Sequence, residues 1–397
     1  MARTGEQNVE VDEVLQKIDH QKTISILDEM VKIKTENPPG NEEALCLYIE
    51  EKCRSLGLET KLISFQDKRP SLVAKFSQGH KHRSLLLNGH TDTVGIGERE
   101  AWSMDPYGCA IKDGKFFGRG TCDMKGGLAS KLVAIETIIN NGFDPMSDLI
   151  FSAVADEEDL GRGTMALTSS GALKGTSFAI FGEPTNMDIV TAHRGSLWLE
   201  VSARGVAAHG SMPVIGANSI VATSAFVDQL ATIFSNKDTF SFPDDVSLNI
   251  GMICGGTKIN VVPNMCSLGL DFRYSWGYDA NLIVAMLKKI MKASQEKTPM
   301  IELNLKELQR RQAVSTEATN PLVQKCLTIT SEVLNREMRP VSMPYSTDAS
   351  ILAQHMKIPV IILGPGKPSL AHSSNEYVEL SALQDATKTY TALILKL

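Results

Sequence analysis

The run Asp156-Glu157-Glu158-Asp159 places four carboxylates side by side. It follows the apolar stretch Leu149-Ile150-Phe151-Ser152-Ala153-Val154-Ala155, and the first base after it is Arg162. Carboxylates stacked at the end of a buried strand repel one another and are costly to desolvate without a counter-charge. Groups of this kind serve as metal ligands or as general bases.

Other apolar runs end the same way. Leu85-Leu86-Leu87-Asn88-Gly89 leads into His90-Thr91-Asp92, and Ala179-Ile180-Phe181-Gly182 into Glu183-Pro184-Thr185. Ile361-Ile362-Leu363-Gly364 continues through a Pro/Gly loop to His372, and Asp123 closes Gly118-Arg119-Gly120-Thr121-Cys122 ahead of a helical stretch. Ligands of open α/β sheets bind at the carboxyl ends of the strands, and five segments supply His, Asp or Glu there. Histidine with carboxylate suits zinc, manganese or cobalt better than calcium.

Together NGHTDTV, GRGTCDMKGG, ADEED, FGEPT, AHGSMP and AHSSNE resemble, in order and over nearly the whole chain, the dinuclear-zinc amidohydrolases and peptidases of the M20 type. The GEPT and AHGSMP runs look closest to the acetylornithine deacetylase and succinyl-diaminopimelate desuccinylase branch. The resemblance implies that His90 and Glu183 hold one metal, Glu158 and His372 the other, and that Asp123 bridges both. Two dications about 3.5–4 Å apart need such a shared anion, and they relieve the repulsion of the acidic run. Asp92 would accept the second ring N–H of His90 and fix its tautomer. Glu157 would be the general base. Asp156 and Asp159 receive no role, although Asp159 suits the turn or a cap on the following helix.

His209, in AHGSMP, corresponds to a family histidine that reaches the partner subunit's active site and bonds the oxyanion. Asn260 and Arg273 match positions expected to bind the substrate α-carboxylate, for which arginine offers a two-pronged fork. The alternative readings place His209 at an interface, Asn260 in a turn and Arg273 on the surface. Ser346-Thr347-Asp348 either lines the pocket or serves a turn.

The elements around these residues predict an α/β catalytic domain with a mostly parallel sheet. Strand-like runs fall at 71–76, 84–88, 148–155, 177–181 and 359–363, with helical spacing at 11–34, 42–56 and 125–141. The middle reads as an α+β insertion: strands at 196–204, 247–253 and 265–274, helices at 217–234 and 280–295. The expected division is residues 1–194 and 313–397 for the catalytic, metal-binding domain and 195–312 for a lid and dimerisation domain. Closure of that lid would complete the site.

The chain has 397 residues, a net charge of −6 and a pI near 5.8, which argues against nucleic acid and anionic membranes as partners. No apolar run is long enough for a membrane helix, the N-terminus lacks a signal-peptide core, and seven scattered cysteines read as reduced thiols of the cytoplasm. No P-loop, GxSxG or HExxH motif occurs. His20, His80, His82 and His355 lie outside the motifs and read as surface or packing residues. The expectation is a cytoplasmic, homodimeric amidohydrolase with two Zn2+, or Co2+ or Mn2+, acting on a small N-acyl amino acid. The alternative is a dipeptidase or carboxypeptidase on the same scaffold.

Overall fold

The computed structural model describes residues 11–77, 83–235 and 246–397; His80 and His82 lie outside them. The chain forms two compact units, one of Met1–Ala192, Ser315–Ser342 and Thr347–Leu397, the other of His193–Val314 and Met343–Ser346.

The first unit is built on a nine-stranded sheet. Seven of its strands run in the spatial order Glu59–Ser64, Pro70–Phe76, Asp148–Val154, Ser84–His90, Phe178–Phe181, Val360–Ile362, Ile189–His193. The four central strands, from Asp148–Val154 to Val360–Ile362, are parallel. The flanking pairs are antiparallel, so the parallel part of the expected, mostly parallel sheet is its centre. That centre is covered on both faces, which is why Leu85, Leu86, Leu87, Phe151, Ile180 and Ile361 are all buried.

Helix Gly126–Asn140 packs against Leu380–Lys396 and His20–Lys32. The single helix expected over 11–34 is interrupted at residues 17–19, where Asp19 accepts the Lys22 N–H at 3.1 Å and caps His20–Lys32. At the other end of that helix the buried Lys125 ammonium donates to the carbonyls of Met30 (3.0 Å) and Ile33 (2.9 Å). A donor there satisfies carbonyls at the helix end, while burial pulls the Lys125 pKa down to about 7.

The second unit carries a four-stranded antiparallel sheet in the order Val246–Gly255, Met265–Tyr274, Gly195–Arg204, Glu302–Arg311. One face alternates Leu197, Leu199, Val201 and Ala203 with Leu268, Leu270 and Phe272. It packs on Phe226 and Leu230 of helix Ser219–Ser235 and on Ile283 and Leu287 of helix Ala280–Lys297.

Candidate metal centre

The carboxyl ends of the central strands bring five side chains together. His90 ends its strand, Glu158 and Glu183 lie just past theirs, His372 sits in the loop after Val360–Ile362, and Asp123 precedes helix Gly126–Asn140. The two oxygens of Asp123 face different histidines: Oδ1 lies 3.0 Å from His90 Nε2 and Oδ2 lies 3.4 Å from His372 Nε2. Each histidine also has its own glutamate. His90 Nε2 is 3.5 Å from Glu183 Oε2, and His372 Nε2 is 2.9 Å from Glu158 Oε2. Asp123 is thus the shared member of two His/Glu groups.

Electrostatics bind the cluster tightly. Burial opposes protonation of His90, but Glu183 and Asp123 overcome it and hold the imidazole well above its ordinary range. Hydrogen bonds to Asp123 and Glu158 raise His372 to about 11. Burial would raise Asp123, yet the two imidazoles hold it well below the usual carboxylate range. Burial and the Asp123 charge push Glu158 to about 7, and burial, with further push from Asp123 and Glu157, takes Glu183 to about 8. Without a cation the site traps protons among its carboxylates.

Asp92 differs from expectation. His90 Nδ1 donates to its backbone carbonyl at 2.8 Å, while the nearer carboxylate oxygen stands 3.7 Å away. The carboxylate is occupied elsewhere: it accepts the N–H groups of Glu157 and Glu158, each at 3.1 Å, and the Asn37 amide at 2.9 Å. The main-chain carbonyl therefore orients the ring. Glu157 and Glu158 occupy a turn over 157–160 rather than extended chain. Glu157 is buried, and its charge acts on both Glu183 and Asp92.

The acidic run has counter-charges that sequence spacing hid. Asp156, buried and in the left-handed region at φ 70°, is gripped by Arg162 through Nε (2.7 Å) and Nη2 (2.8 Å) and by Arg69 at 3.0 Å. Such a backbone is strained for a residue with a Cβ and persists where its surroundings hold it. Asp156, not Asp159, accepts the N–H of Arg162 that opens the next helix (3.1 Å); Asp159 pairs with the Arg162 side chain at 3.0 Å. Nothing near position 156 in sequence points to Arg69.

Below the site, Lys131 is buried inside an apolar helix and donates to the carbonyls of Asn88 and Ile180, tying the strands that lead to His90 and Glu183. A Cβ on Gly182 would stand 2.7 Å from Lys131 Nζ, so a larger residue before Glu183 would displace that side chain.

In the second unit His209 is exposed on the short strand Ala208–His209. Its Nδ1 accepts the Ser211 N–H at 3.2 Å and lies 2.7 Å from the Ser211 hydroxyl. With Nδ1 accepting, the neutral ring carries its N–H on Nε2. Asn260 is exposed, and its carbonyl accepts the Gly210 N–H at 2.8 Å. Arg273 forks onto Asp271 at 3.1 and 2.8 Å. Thr347 and Asp348 are buried in the first unit, where Thr164 donates to Asp348 at 2.5 Å.

The donor set fits a divalent cation. One ligand atom each from His90, Asp123 and Glu158 lies within 4.8 Å of the others. Glu158 Oε1 is buried with no hydrogen-bond partner, a costly state that a cation relieves. Imidazole plus carboxylate selects transition metals over calcium.

Comparison with known proteins agrees with this chemistry. Residues 86–396 match the model of peptidase family M20/M25/M40. A probable succinyl-diaminopimelate desuccinylase of Staphylococcus epidermidis is 26% identical over 389 residues, covering 91% of this chain and 94% of that protein. An acetylornithine deacetylase of Aliivibrio salmonicida is 29% identical over 351 residues, covering 87% and 89%. The solved structure of the Saccharomyces cerevisiae di-peptidase Dug1p shares the fold with a TM-score of 0.81 at 15% identity, covering 97% of this chain and 98% of its own.

Proposed function

The chain belongs to peptidase family M20/M25/M40, and within that family we propose that it is a cytoplasmic, homodimeric, two-zinc amidohydrolase. Its substrate is a small N-acyl amino acid of the N-acetylornithine or N-succinyl-diaminopimelate type, released as free amino acid and carboxylate. The observation that carries this reading is the division of Asp123, one oxygen toward His90 with Glu183 and the other toward His372 with Glu158. The substrate type is supported by likeness to the desuccinylase and the deacetylase along most of the chain.

In this reading His90, Glu183, Asp123, Glu158 and His372 are the ligands, with zinc, or cobalt or manganese, as the ions. Such ions would supply Lewis acidity, polarising the scissile carbonyl and acidifying a water. Glu157 takes a proton from the attacking water and returns it to the departing amine nitrogen. Asp92 holds the turn that carries Glu157 by accepting its N–H and that of Glu158. His209 donates from Nε2 to the oxyanion in the partner subunit's site. Asn260 and Arg273 take the substrate α-carboxylate, Arg273 exchanging its bond to Asp271 for the ligand.

Residues 195–312 act as the lid and dimerisation domain. The edge strand Val246–Gly255 carries no charged residue, and Met252 (72%) and Ile253 (56%) are exposed on it. An unguarded apolar edge of this kind invites pairing with a second copy. The cytoplasmic assignment is supported by seven free cysteines; among the described residues no helix is long and apolar enough to cross a membrane.

A kinetic screen tests the reading: N-acetyl and N-succinyl amino acids against di- and tripeptides, with zinc, cobalt and manganese. Turnover of acyl-amino acids is expected. Cleavage of peptides alone would replace the deacylase reading with the dipeptidase or carboxypeptidase one.

A further inference from the structure

Glu376 is completely buried, and its carboxylate is bonded to the backbone of Gly120, Cys122 and Asp123 and to the Arg119 side chain. Its Oε1 accepts the N–H of Cys122 at 2.8 Å and of Asp123 at 3.0 Å. Its Oε2 accepts the N–H of Gly120 at 3.0 Å and Arg119 Nη1 at 2.6 Å. Its backbone carbonyl takes the N–H of Gly118 at 3.0 Å. One residue therefore gathers the N–H groups of Gly118, Gly120, Cys122 and Asp123, three of them in a nest filled by the chain's own carboxylate.

The local structure is arranged for this. Gly120 adopts a left-handed backbone at φ 82°, and a Cβ there would meet Thr93 Cγ2 at 2.7 Å. Arg119, also buried, stacks 5.1 Å from the Trp102 ring and donates to the Gly95 carbonyl at 3.2 Å. The strand Tyr377–Glu379 pairs antiparallel with Lys115–Phe117, which sets Glu376 beside the turn that follows Phe117. His372 lies four residues upstream on the same segment. A single stretch of chain thus carries one of the clustered histidines and the anchor for the aspartate shared between the two histidines.

We propose that Glu376 is a positioning residue for the metal centre. Its carboxylate fixes the turn that divides the oxygens of Asp123 between His90 and His372. The inference rests on the reading of those residues as ligands. A glutamine of the same size cannot replace it, because its NH2 group must face N–H donors on one side. The competing explanation is a structural Arg119–Glu376 ion pair with no bearing on the metal.

Titration of metal-free protein with Co2+, followed by d–d absorbance, separates the two. Wild type, Glu376→Gln and Glu376→Asp are compared, with thermal melting of each metal-free protein and Val323→Ala as a destabilised control in the core. Glu376→Gln is expected to remain folded and to bind Co2+ about 10–100-fold more weakly. Val323→Ala should melt earlier with unchanged affinity. A Glu376→Gln protein that melts earlier but binds Co2+ as tightly as wild type overturns the proposal. Should that variant not fold, Glu376→Asp, which keeps the charge on a shorter arm, carries the same comparison. Wild type that takes up no Co2+ removes the metal reading itself, and the proposal with it.

Discussion

Asp92 orients His90 through its backbone carbonyl, 2.8 Å from Nδ1, and leaves its carboxylate to the N–H groups of Glu157 and Glu158. Burial raises the Asp92 pKa to about 6, so it is ionised at neutral pH. Asp92→Asn keeps the contact to His90 but turns an NH2 group toward N–H donors. Metal content should stay near that of wild type, while kcat falls about 10–100-fold. Loss of metal affinity with kcat intact would return the side chain to a role on His90.

Glu157→Gln removes the proton acceptor and leaves the other five acids and imidazoles in place. Turnover is expected to drop by about 10²–10⁴-fold, with zinc content by atomic absorption unchanged. A near-normal rate would exclude Glu157 as the base.

Metal removal should expose a stability profile set by the cluster. Glu158, Glu183 and His372 have folded pKa values raised to about 7, 8 and 11. Each favours the folded chain below its ordinary pKa and loses that advantage as pH climbs through the raised value. Asp123, held low, acts oppositely, and its contribution fades only on strong acidification. The metal-free protein should therefore melt at lower temperature as pH rises from about 5 to about 9. Zinc, which binds deprotonated ligands, should flatten that slope. A melting temperature of metal-free protein that climbs over this range would contradict the cluster's electrostatics.

Arg69 is the hidden partner of the acidic run. It pairs with Glu42 through Nε at 2.9 Å and Nη2 at 2.5 Å, and with Asp156 at 3.0 Å, all three side chains being buried. Arg69→Met strands the buried carboxylate of Glu42, while Asp156 keeps Arg162, and should cost about 3–5 kcal/mol in urea unfolding. A loss below about 1 kcal/mol, the worth of a surface pair, would mean that water reaches the network.

These residues also mark what could be read before any coordinates. His90, Glu158, Glu183 and His372 were visible because each follows a run such as Leu85-Leu86-Leu87 that is apolar on both faces, and such runs end at one edge of a sheet. The antiparallel strands Glu59–Ser64 and Glu302–Arg311 escaped notice because their exposed positions carry charge and break the apolar pattern. Lys125 and Lys131 look like solvent-facing helix residues; their acceptors are carbonyls of other elements, which no local spacing encodes. The pairing of Asp156 with Arg69 and of Glu376 with the Gly118–Asp123 turn is likewise long-range. What periodicity reveals is where chemistry gathers, not which buried charges hold it in place.

The central claim is that Asp123 serves two metal ions at once. Anomalous diffraction at the zinc absorption edge, from crystals of zinc-loaded protein, tests it most directly. Two peaks should appear, one beside His90 and Glu183 and one beside His372 and Glu158, with Asp123 between them. A single peak that leaves Asp123 on one ion, or none in this cluster, would contradict the account.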